Sequence, residues 1–355
     1  MVTATETPRV GEADADVTRP EPLLAVRNLV TEFRTSGGWL RAVNDVSFEV
    51  ERSEVLAILG ESGSGKSALL RTILGIQPRT ARVSGQVLIE GRDVLAMAAA
   101  EREVVRGSQV SMIFQDPLTA LDPLFTVEQQ IVETLRRHTA LTKAAARERA
   151  LELLNLVQIP SPERRLEAYP FELSGGMRQR VVIAIALACN PRLLLADEPT
   201  TALDVTVQAR VLSLLADLQR RLGMGVVLVT HDLTVAASVA DRVAVMYAGR
   251  IVERGPIREI VRRPSHPYTR GLLDANIRPG QRERPEAIAG APPNLAHLSG
   301  GCAFAPRCPV SVDGCFEEQP QFVLVGPDHA ARCLIAEADV VGAGGGATAK
   351  GLQGG

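Results

Sequence analysis

The chain has 355 residues, enough for two modest domains or for one large domain with an insertion. Its 39 lysines and arginines nearly balance its 41 aspartates and glutamates, so the net charge of −2 predicts no general attraction for nucleic acid or anionic lipid. With 46% hydrophobic and 23% charged residues, the composition excludes a chain that is disordered throughout, collagenous or coiled-coil.

The first 22 residues are rich in Pro, Thr, Glu and Asp, which predicts a flexible tail. They contain neither the basic cluster nor the apolar stretch of a secretory signal, so we expect no export. The longest apolar run, Val181 to Cys189, has nine residues, whereas a bilayer span needs about 20. The expected environment is therefore the reducing cytoplasm.

Short apolar or alternating runs between residues 23 and 58, followed by SGQVLIEG, predict strands. The periodicity becomes helical between Thr126 and Val157, where Thr126 and Gln129 are spaced as a capping box. We therefore predict an α-helical insert after the first strands.

Helices and strands then alternate, which predicts an α/β core. The expected elements are a helix from Gly176 to Cys189, a strand from Leu193 to Ala196, a helix from Val205 to Arg221 and a strand from Val226 to Val229. Residues 266–337 show no clear period and are predicted to be an irregular extension, and residues 338–355 a second flexible tail.

The segment GESGSGKS fits the P-loop pattern, and it follows the strand EVLAIL and precedes the apolar helix ALLRTIL, which begins at Ala68. Glycines let successive N–H groups face a phosphate at a helix N-terminus, the lysine reaches the β- and γ-phosphates, and the serine hydroxyl ligates Mg²⁺. The alternative is a glycine-rich loop without a ligand. We predict that the phosphate-binding residues are Gly60, Ser62, Gly63, Gly65, Lys66 and Ser67.

The strand LLLA ends in Asp197 and Glu198, at the edge where α/β sheets bind ligands. Asp197 is predicted to hold Mg²⁺, and Glu198 is the candidate base for the water that attacks a phosphoanhydride. The sequence LSGGM, beginning at Leu173, places small residues at a second helix N-terminus. A single P-loop does not obviously bind its phosphates with both helix N-termini of the same chain. The second helix N-terminus therefore suggests a site that another subunit completes.

LSGGM resembles the signature sequence of ATP-binding cassette (ABC) ATPases, and it stands in the family's order between MIFQDPLTALDP and LLLADEPTTALD, with VLVTHD afterwards. The resemblance implies an ABC-type P-loop ATPase over residues 23–265, with a helical subdomain at about 118–172. It implies that Gln115 contacts Mg²⁺ and the attacking water, that Asp204 lies at a dimer contact and that His231 holds the γ-phosphate. Phe33 is the nearest match to the family's adenine-stacking aromatic residue, and Trp39 is the competitor.

GESGSGKS, YPFELSGGMRQR, HPYTRGLL and AGAPPNL are similar to segments of the ATPase subunits of oligopeptide, dipeptide and nickel importers, although Ala289 stands where members often have proline. This resemblance implies ATP and Mg²⁺ as ligands and ATP-driven peptide import at the cytoplasmic face of the membrane. The implied partners are membrane permease subunits, a second ATPase subunit that is more often a paralogue than a copy and, indirectly, an extracellular solute-binding protein. Nickel or another solute is the alternative cargo, and a soluble ATPase acting on DNA or the ribosome is the alternative class.

Four of the five cysteines, Cys302, Cys308, Cys315 and Cys333, lie in the predicted extension with spacings that match neither a zinc knuckle nor a ferredoxin. From the residues alone the metal stays undetermined, and zinc or four free thiols are open alternatives. The family resemblance implies a [4Fe–4S] cluster, with His329 as a substitute ligand. Cys189, on an apolar helix, is expected to be structural.

Overall fold

The computed structural model describes residues 21–201, 203–275, 287–298 and 300–336. The tail predicted at residues 338–355, and all but the last two residues of the tail predicted at 1–22, lie outside the described residues.

In the described part of the chain, the strands are β1 (Leu24–Thr35), β2 (Gly38–Val50), β3 (Val55–Leu59), β4 (Arg82–Ile89), β5 (Arg92–Asp93), β6 (Val110–Ile113), β7 (Leu193–Asp197), β8 (Gly225–Thr230), β9 (Arg242–Tyr247), β10 (Arg250–Pro256), β11 (Val323–Gly326) and β12 (His329–Ala331). The α-helices over the same residues are α1 (Lys66–Leu74), α2 (Ala99–Ser108), α3 (Pro117–Ala120), α4 (Val127–His138), α5 (Lys143–Leu156), α6 (Pro162–Leu166), α7 (Gly175–Leu187), α8 (Val205–Leu222), α9 (Leu233–Val239), α10 (Ile257–Arg262), α11 (Pro267–Asp274) and α12 (Gly314–Glu317). Short 3-10 helices occupy Pro170–Glu172, Leu295–His297 and Ala305–Arg307.

Two sheets organise these strands. The larger sheet has the order β11-β12-β10-β9-β3-β8-β7-β6, and its pairs from β9 to β6 are parallel. The smaller, antiparallel sheet has the order β2-β1-β4-β5. The parallel strands β3, β7 and β8 are buried along their whole length, as expected for a sheet covered on both faces. This arrangement confirms the predicted α/β core.

Strand β3 lies between two hydrophobic cores, because alternate side chains of a strand point to opposite faces. Ala57 and Leu59 pack into the core formed with the helices, whereas Leu56 and Ile58 pack into the core shared with the smaller sheet and α1. The rigid strand therefore leads directly into the loop that precedes α1.

Helices α3 to α6 follow β6, in the region where the sequence predicts a helical insert. The predicted capping box of α4 is confirmed: Gln129 N donates to Thr126 Oγ1 at 3.3 Å, and Thr126 N donates to Gln129 Oε1 at 2.8 Å. Within the described residues, none of the helices has both the length and the apolar character needed to cross a bilayer.

The extension after residue 266 is more regular than its composition predicts. Helix α11 begins at Pro267, and the β11–β12 hairpin joins the larger sheet because β12 pairs with β10 through Glu253 opposite Ala331. The pairing of β12 with β10 is non-local, so local sequence periodicity carries no sign of it. The prediction of an irregular segment is therefore wrong for α11 and for this hairpin.

Candidate active site

The P-loop connects β3 to α1 with a backbone that two of its glycines make possible. Gly65 has a φ of +105° and precedes the first residue of α1. A Cβ atom on Gly65 would lie 2.1 Å from the carbonyl oxygen of Ala42, and one on Gly60 would lie 2.2 Å from that of Met246. Both positions therefore require glycine, because neighbouring main chain approaches too closely for any side chain.

Lys66 is the first residue of α1, and its side chain is buried in the P-loop. The ammonium donates to the carbonyl oxygens of Gly60 at 2.7 Å and of Glu61 at 2.8 Å. Burial lowers the pKa of Lys66, and this is opposed by the nearby charges of Glu198, Asp197 and Glu61. The loop thus fixes a cation beside the acids at the end of β7.

The predicted magnesium ligands lie next to each other, although 130 residues separate them in sequence. Ser67 Oγ donates to Asp197 Oδ1 at 2.9 Å. Asp197 ends β7 and is 2% exposed, and this burial raises its pKa. A carboxylate and a hydroxyl are the oxygen ligands that Mg²⁺ uses in phosphate-binding sites, where waters and substrate complete the shell. These two residues therefore fit the ion.

Glu198 is the centre of a polar cluster formed by four different segments. Its Oε2 atom accepts from Gln115 Nε2 at 3.2 Å and from Thr201 Oγ1 at 2.8 Å, and it lies 3.2 Å from His231 Nδ1. Its Oε1 atom lies 3.9 Å from Lys66 Nζ. The structure thus brings together the three predicted catalytic residues, Gln115, Glu198 and His231.

Thr201 was not predicted as a site residue. Its hydroxyl lies three residues after Glu198 and bonds to the same carboxylate oxygen as Gln115. Glu198 itself has a φ of +45°, in the left-handed region that non-glycine residues rarely adopt. A hydroxyl three residues after an acid at a strand end is the sequence signal that could have identified Thr201.

These residues line one open cavity of about 850 Å³. The extension forms part of its wall, beside the P-loop. The lining residues include Ser62, Gly63, Gly65, Lys66, Ser67, Gln115, Glu198, Thr201 and His231, together with Leu272, Ala275, Ala287, Ile288 and Leu295 from the extension.

No residue of the LSGGM segment is among those that line this cavity. Ser174 caps α7, and its Oγ accepts from Met177 N at 3.4 Å. Asp204 likewise caps α8 by accepting from Val207 N at 3.0 Å. The second small-residue helix end is therefore not a component of the P-loop cavity of the same chain.

Neither aromatic candidate for adenine stacking lines the cavity. Phe33 lies in β1 opposite Leu40 and is half-buried. Trp39 is exposed in β2, with the Arg82 guanidinium 3.8 Å from its ring centroid. Adenine stacking on Phe33 stays a prediction.

Two of the four cysteines of the extension, Cys302 and Cys308, have a raised pKa. Burial raises the pKa of the Cys302 thiol, and Cys315 and Cys333 raise it further. Burial also raises the pKa of Cys308, again with contributions from Cys333 and Cys315. Over the residues that the structure describes, however, no three His, Cys, Asp or Glu side chains are placed together to hold a metal ion. The predicted iron–sulfur cluster therefore finds no support in the metal-site geometry.

Two cysteine-related expectations are corrected. His329 Nε2 lies 2.7 Å from Glu253 Oε1, and both side chains are buried, so His329 is held in a structural pair and is not a substitute ligand. Helix α7 ends at Leu187, so Cys189 lies just beyond the helix that was predicted to contain it.

The fold and the site define a P-loop ATPase: a parallel sheet presents a P-loop, a candidate magnesium-binding acid and a candidate base next to one another. Residues 43–201 match the family described as "ABC transporter", and residues 252–315 match the family described as "Oligopeptide/dipeptide transporter, C-terminal region". The chain belongs to the ATP-binding subunits of ABC transporters and is an ATPase.

Individual relatives agree with this placement. The probable peptide ABC transporter ATP-binding protein y4tR of Sinorhizobium fredii is 48% identical over 315 residues, which cover 88% of this chain and 94% of the relative. The oligopeptide transport ATP-binding protein OppD of Bacillus subtilis is 47% identical over 321 residues, which cover 89% of this chain and 90% of the relative. A solved structure of the dimeric ATP-binding cassette MJ0796, bound to ADP and Pi after hydrolysis, is 31% identical with a TM-score of 0.60, and the match covers 66% of this chain and 99% of that one.

Proposed function

We propose that this chain hydrolyses ATP to drive the import of peptides through a membrane ABC transporter. The main observation in support of ATP hydrolysis is the polar cluster around Glu198. In this cluster Gln115, Thr201 and His231 contact the Glu198 carboxylate beside Lys66. The peptide cargo is supported by the match of residues 252–315 and by the printed functions of the relatives.

In the proposed mechanism, the N–H groups of the P-loop and the Lys66 ammonium bind the β- and γ-phosphates. Ser67 and Asp197 would hold Mg²⁺, which neutralises phosphate charge when bound. Glu198 accepts the proton of the attacking water, and Gln115 orients that water. His231, whose Nδ1 atom lies 3.2 Å from Glu198 Oε2, would donate to the γ-phosphate. Thr201 and Gln115 fix the carboxylate of Glu198 by donating to the same oxygen.

The second nucleotide contact is proposed to come from another ATPase subunit. Ser174 and the following glycines begin α7 outside the P-loop cavity, so a second subunit facing head to tail would place its own LSGGM segment over the phosphates. Asp204 would lie at that contact. ATP would then bind the closed pair more tightly than the open pair, which is how binding energy would drive the transporter. A paralogue is the proposed partner.

The helical region supports the proposed contact with permease subunits at the cytoplasmic face of the membrane. Large apolar side chains are exposed on and beside α3, immediately after Gln115; Leu124, for example, is 78% exposed. Leu118 and Phe125 are exposed in the same segment, and Phe171 follows α6. Exposed apolar residues grouped in this way are typical of a protein interface. We propose residues 118–172 as the coupling subdomain within a cassette that spans 23–265.

We also propose that the extension, residues 266–337, carries a [4Fe–4S] cluster on its four cysteines. The support is chemical: Cys315 and Cys333 lie near enough to Cys302 and Cys308 to raise the pKa of both thiols, and four thiolates are the ligand set of such a cluster. Anaerobic purification followed by iron, sulfide and zinc analysis tests this. About four irons and four sulfides per chain, lost on Cys302→Ser, are expected. One zinc, or no metal, contradicts the proposal.

Transport is tested in proteoliposomes that contain the permease subunits, the partner ATPase and the solute-binding protein. We expect uptake of a labelled peptide that requires ATP and stops with Glu198→Gln in this chain. Nickel uptake without peptide uptake would leave the ATPase assignment unchanged but would show that the cargo is nickel and not peptides. Salt-sensitive binding of the purified chain to DNA or ribosomes, without support of transport, would favour the soluble class of ATPase.

A further inference from the structure

The P-loop residue Glu61 forms a bidentate ion pair with the extension. Arg307 Nη1 donates to Glu61 Oε2 at 2.8 Å, and Nη2 donates to Glu61 Oε1 at 3.1 Å. The Arg307 side chain is 6% exposed and that of Glu61 25%. A two-point contact between the planar guanidinium and a carboxylate fixes orientation as well as distance.

Arg307 is itself held from the other side, so it cannot follow the loop if the loop moves. Its Nε atom donates to the carbonyl oxygen of Ala289 at 3.0 Å, and Nη2 also lies 3.4 Å from that of Ile288. Its Nη1 atom donates in addition to the Tyr247 hydroxyl at 3.2 Å. The guanidinium is therefore a fixed point between the extension and the P-loop.

The main chain of Glu61 is held by the extension as well. Glu61 N donates to the hydroxyl oxygen of Tyr268 at 2.8 Å, and Tyr268 is completely buried in α11. Its ring packs against Tyr247 and Phe304, with centroids 4.5 and 5.4 Å apart. This aromatic cluster makes the hydroxyl a rigid acceptor.

Glu61 connects these contacts to the phosphate-binding lysine. Its carbonyl oxygen accepts from Lys66 Nζ at 2.8 Å, so the residue that the extension holds also orients the ammonium. We infer that Arg307 is a positioning residue for the nucleotide site: through Glu61 it holds the P-loop and Lys66 in the geometry that binds ATP phosphates. The inference rests on the proposed assignment of the P-loop as the ATP site.

The chain offers a matched control for a merely structural role. Arg332 also joins the extension to the core, where its Nη2 atom donates to Asp45 Oδ2 at 3.2 Å, and it too is nearly buried. Asp45 lies in β2, and its partners Asn28, Arg250 and Arg332 all lie outside the P-loop. Loss of Arg332 therefore removes another ion pair between the extension and the core without releasing Glu61.

The experiment measures kcat and KM for ATP on this chain assembled with its partner ATPase and the permease subunits, and the Kd for mant-ADP on the purified full chain, for the wild type and each variant. Arg307→Ala is expected to raise KM and Kd about tenfold, with kcat within about twofold, because ground-state binding of the phosphates is what the loop geometry supplies. Arg307→Lys keeps the charge without the two-point contact and should give an intermediate KM. Arg332→Ala should leave KM and Kd within about twofold of the wild-type values.

A double-mutant cycle shows whether Arg307 acts through Glu61. Glu61→Gln is expected to raise KM by a similar factor, and Arg307→Ala combined with Glu61→Gln should be no worse than either single change. Glu61→Gln also serves as the test if Arg307→Ala does not fold. Three outcomes would overturn the inference. They are an unchanged KM for both single variants, additive effects on KM in the double variant, and an equal rise in KM with Arg332→Ala. If the wild type does not bind mant-ADP, the proposed ATP site fails instead.

Discussion

Acidification should destabilise this protein through one buried side chain, His266. The residue is 1% exposed at the start of α11, where its Nδ1 atom accepts from Tyr268 N at 3.1 Å, and its Nε2 atom has no hydrogen-bond partner within the described residues. Burial lowers the pKa of His266 from 6.5 to about 4, against an opposing attraction from Glu253. Between pH 6.5 and about pH 4, the His266 imidazole is therefore neutral in the folded state but protonated in the unfolded state.

The sign and size of the effect follow from this difference in proton binding. Because the unfolded chain takes up the proton below pH 6.5 and the folded chain only near pH 4, the stabilisation is complete above pH 6.5 and is lost as the pH falls toward 4. The pKa difference corresponds to about 3 kcal/mol in the free energy of unfolding between pH 7 and pH 4.

The assay is urea unfolding followed by circular dichroism at several pH values between 7 and 4, on the wild type and on His266→Asn. Asparagine keeps a side-chain acceptor for the start of α11 but does not titrate. The free energy difference between the two proteins should therefore change by about 3 kcal/mol across this range, in favour of the variant at low pH. If the free energies of unfolding of the wild type and of His266→Asn fall in parallel with pH, the loss of stability does not come from His266.

Two further substitutions test the site. Gly65→Ala should abolish mant-ADP binding while helix content is retained, because the new Cβ would lie 2.1 Å from the carbonyl oxygen of Ala42; normal affinity would show that the loop tolerates a side chain there. Thr201→Val keeps the volume but removes the hydroxyl that bonds Glu198, so kcat for ATP should fall about tenfold with KM nearly unchanged. A rise in KM alone would assign Thr201 to nucleotide binding.

Local sequence predicted the parts of the site whose geometry is local. The strand, glycine loop and helix around Lys66 are contiguous, and the capping of α4 involves residues three apart. Gln115 and Glu198 form a hydrogen bond although they are 83 residues apart in sequence, so only the order of motifs in a known family indicated this contact.

The extension was the least predictable part because its contacts are long-range. Arg307 and Glu61 are 246 residues apart, and the pairing of β12 with β10 places Ala331 opposite Glu253, with three of the four cysteines between them in the sequence. A proline- and glycine-rich composition gives no periodicity from which such contacts could be predicted.

The central claim is that Glu198 is the base of an ATP-hydrolysing site, and Glu198→Gln tests it most directly. The substitution keeps the volume and a polar contact for Thr201 and Gln115 but removes the carboxylate that takes the proton. We predict a fall in kcat for ATP of at least about a hundredfold, with the Kd for mant-ADP within about twofold and the exposed control Glu163→Gln unaffected. Hydrolysis by Glu198→Gln at the wild-type rate would contradict the account.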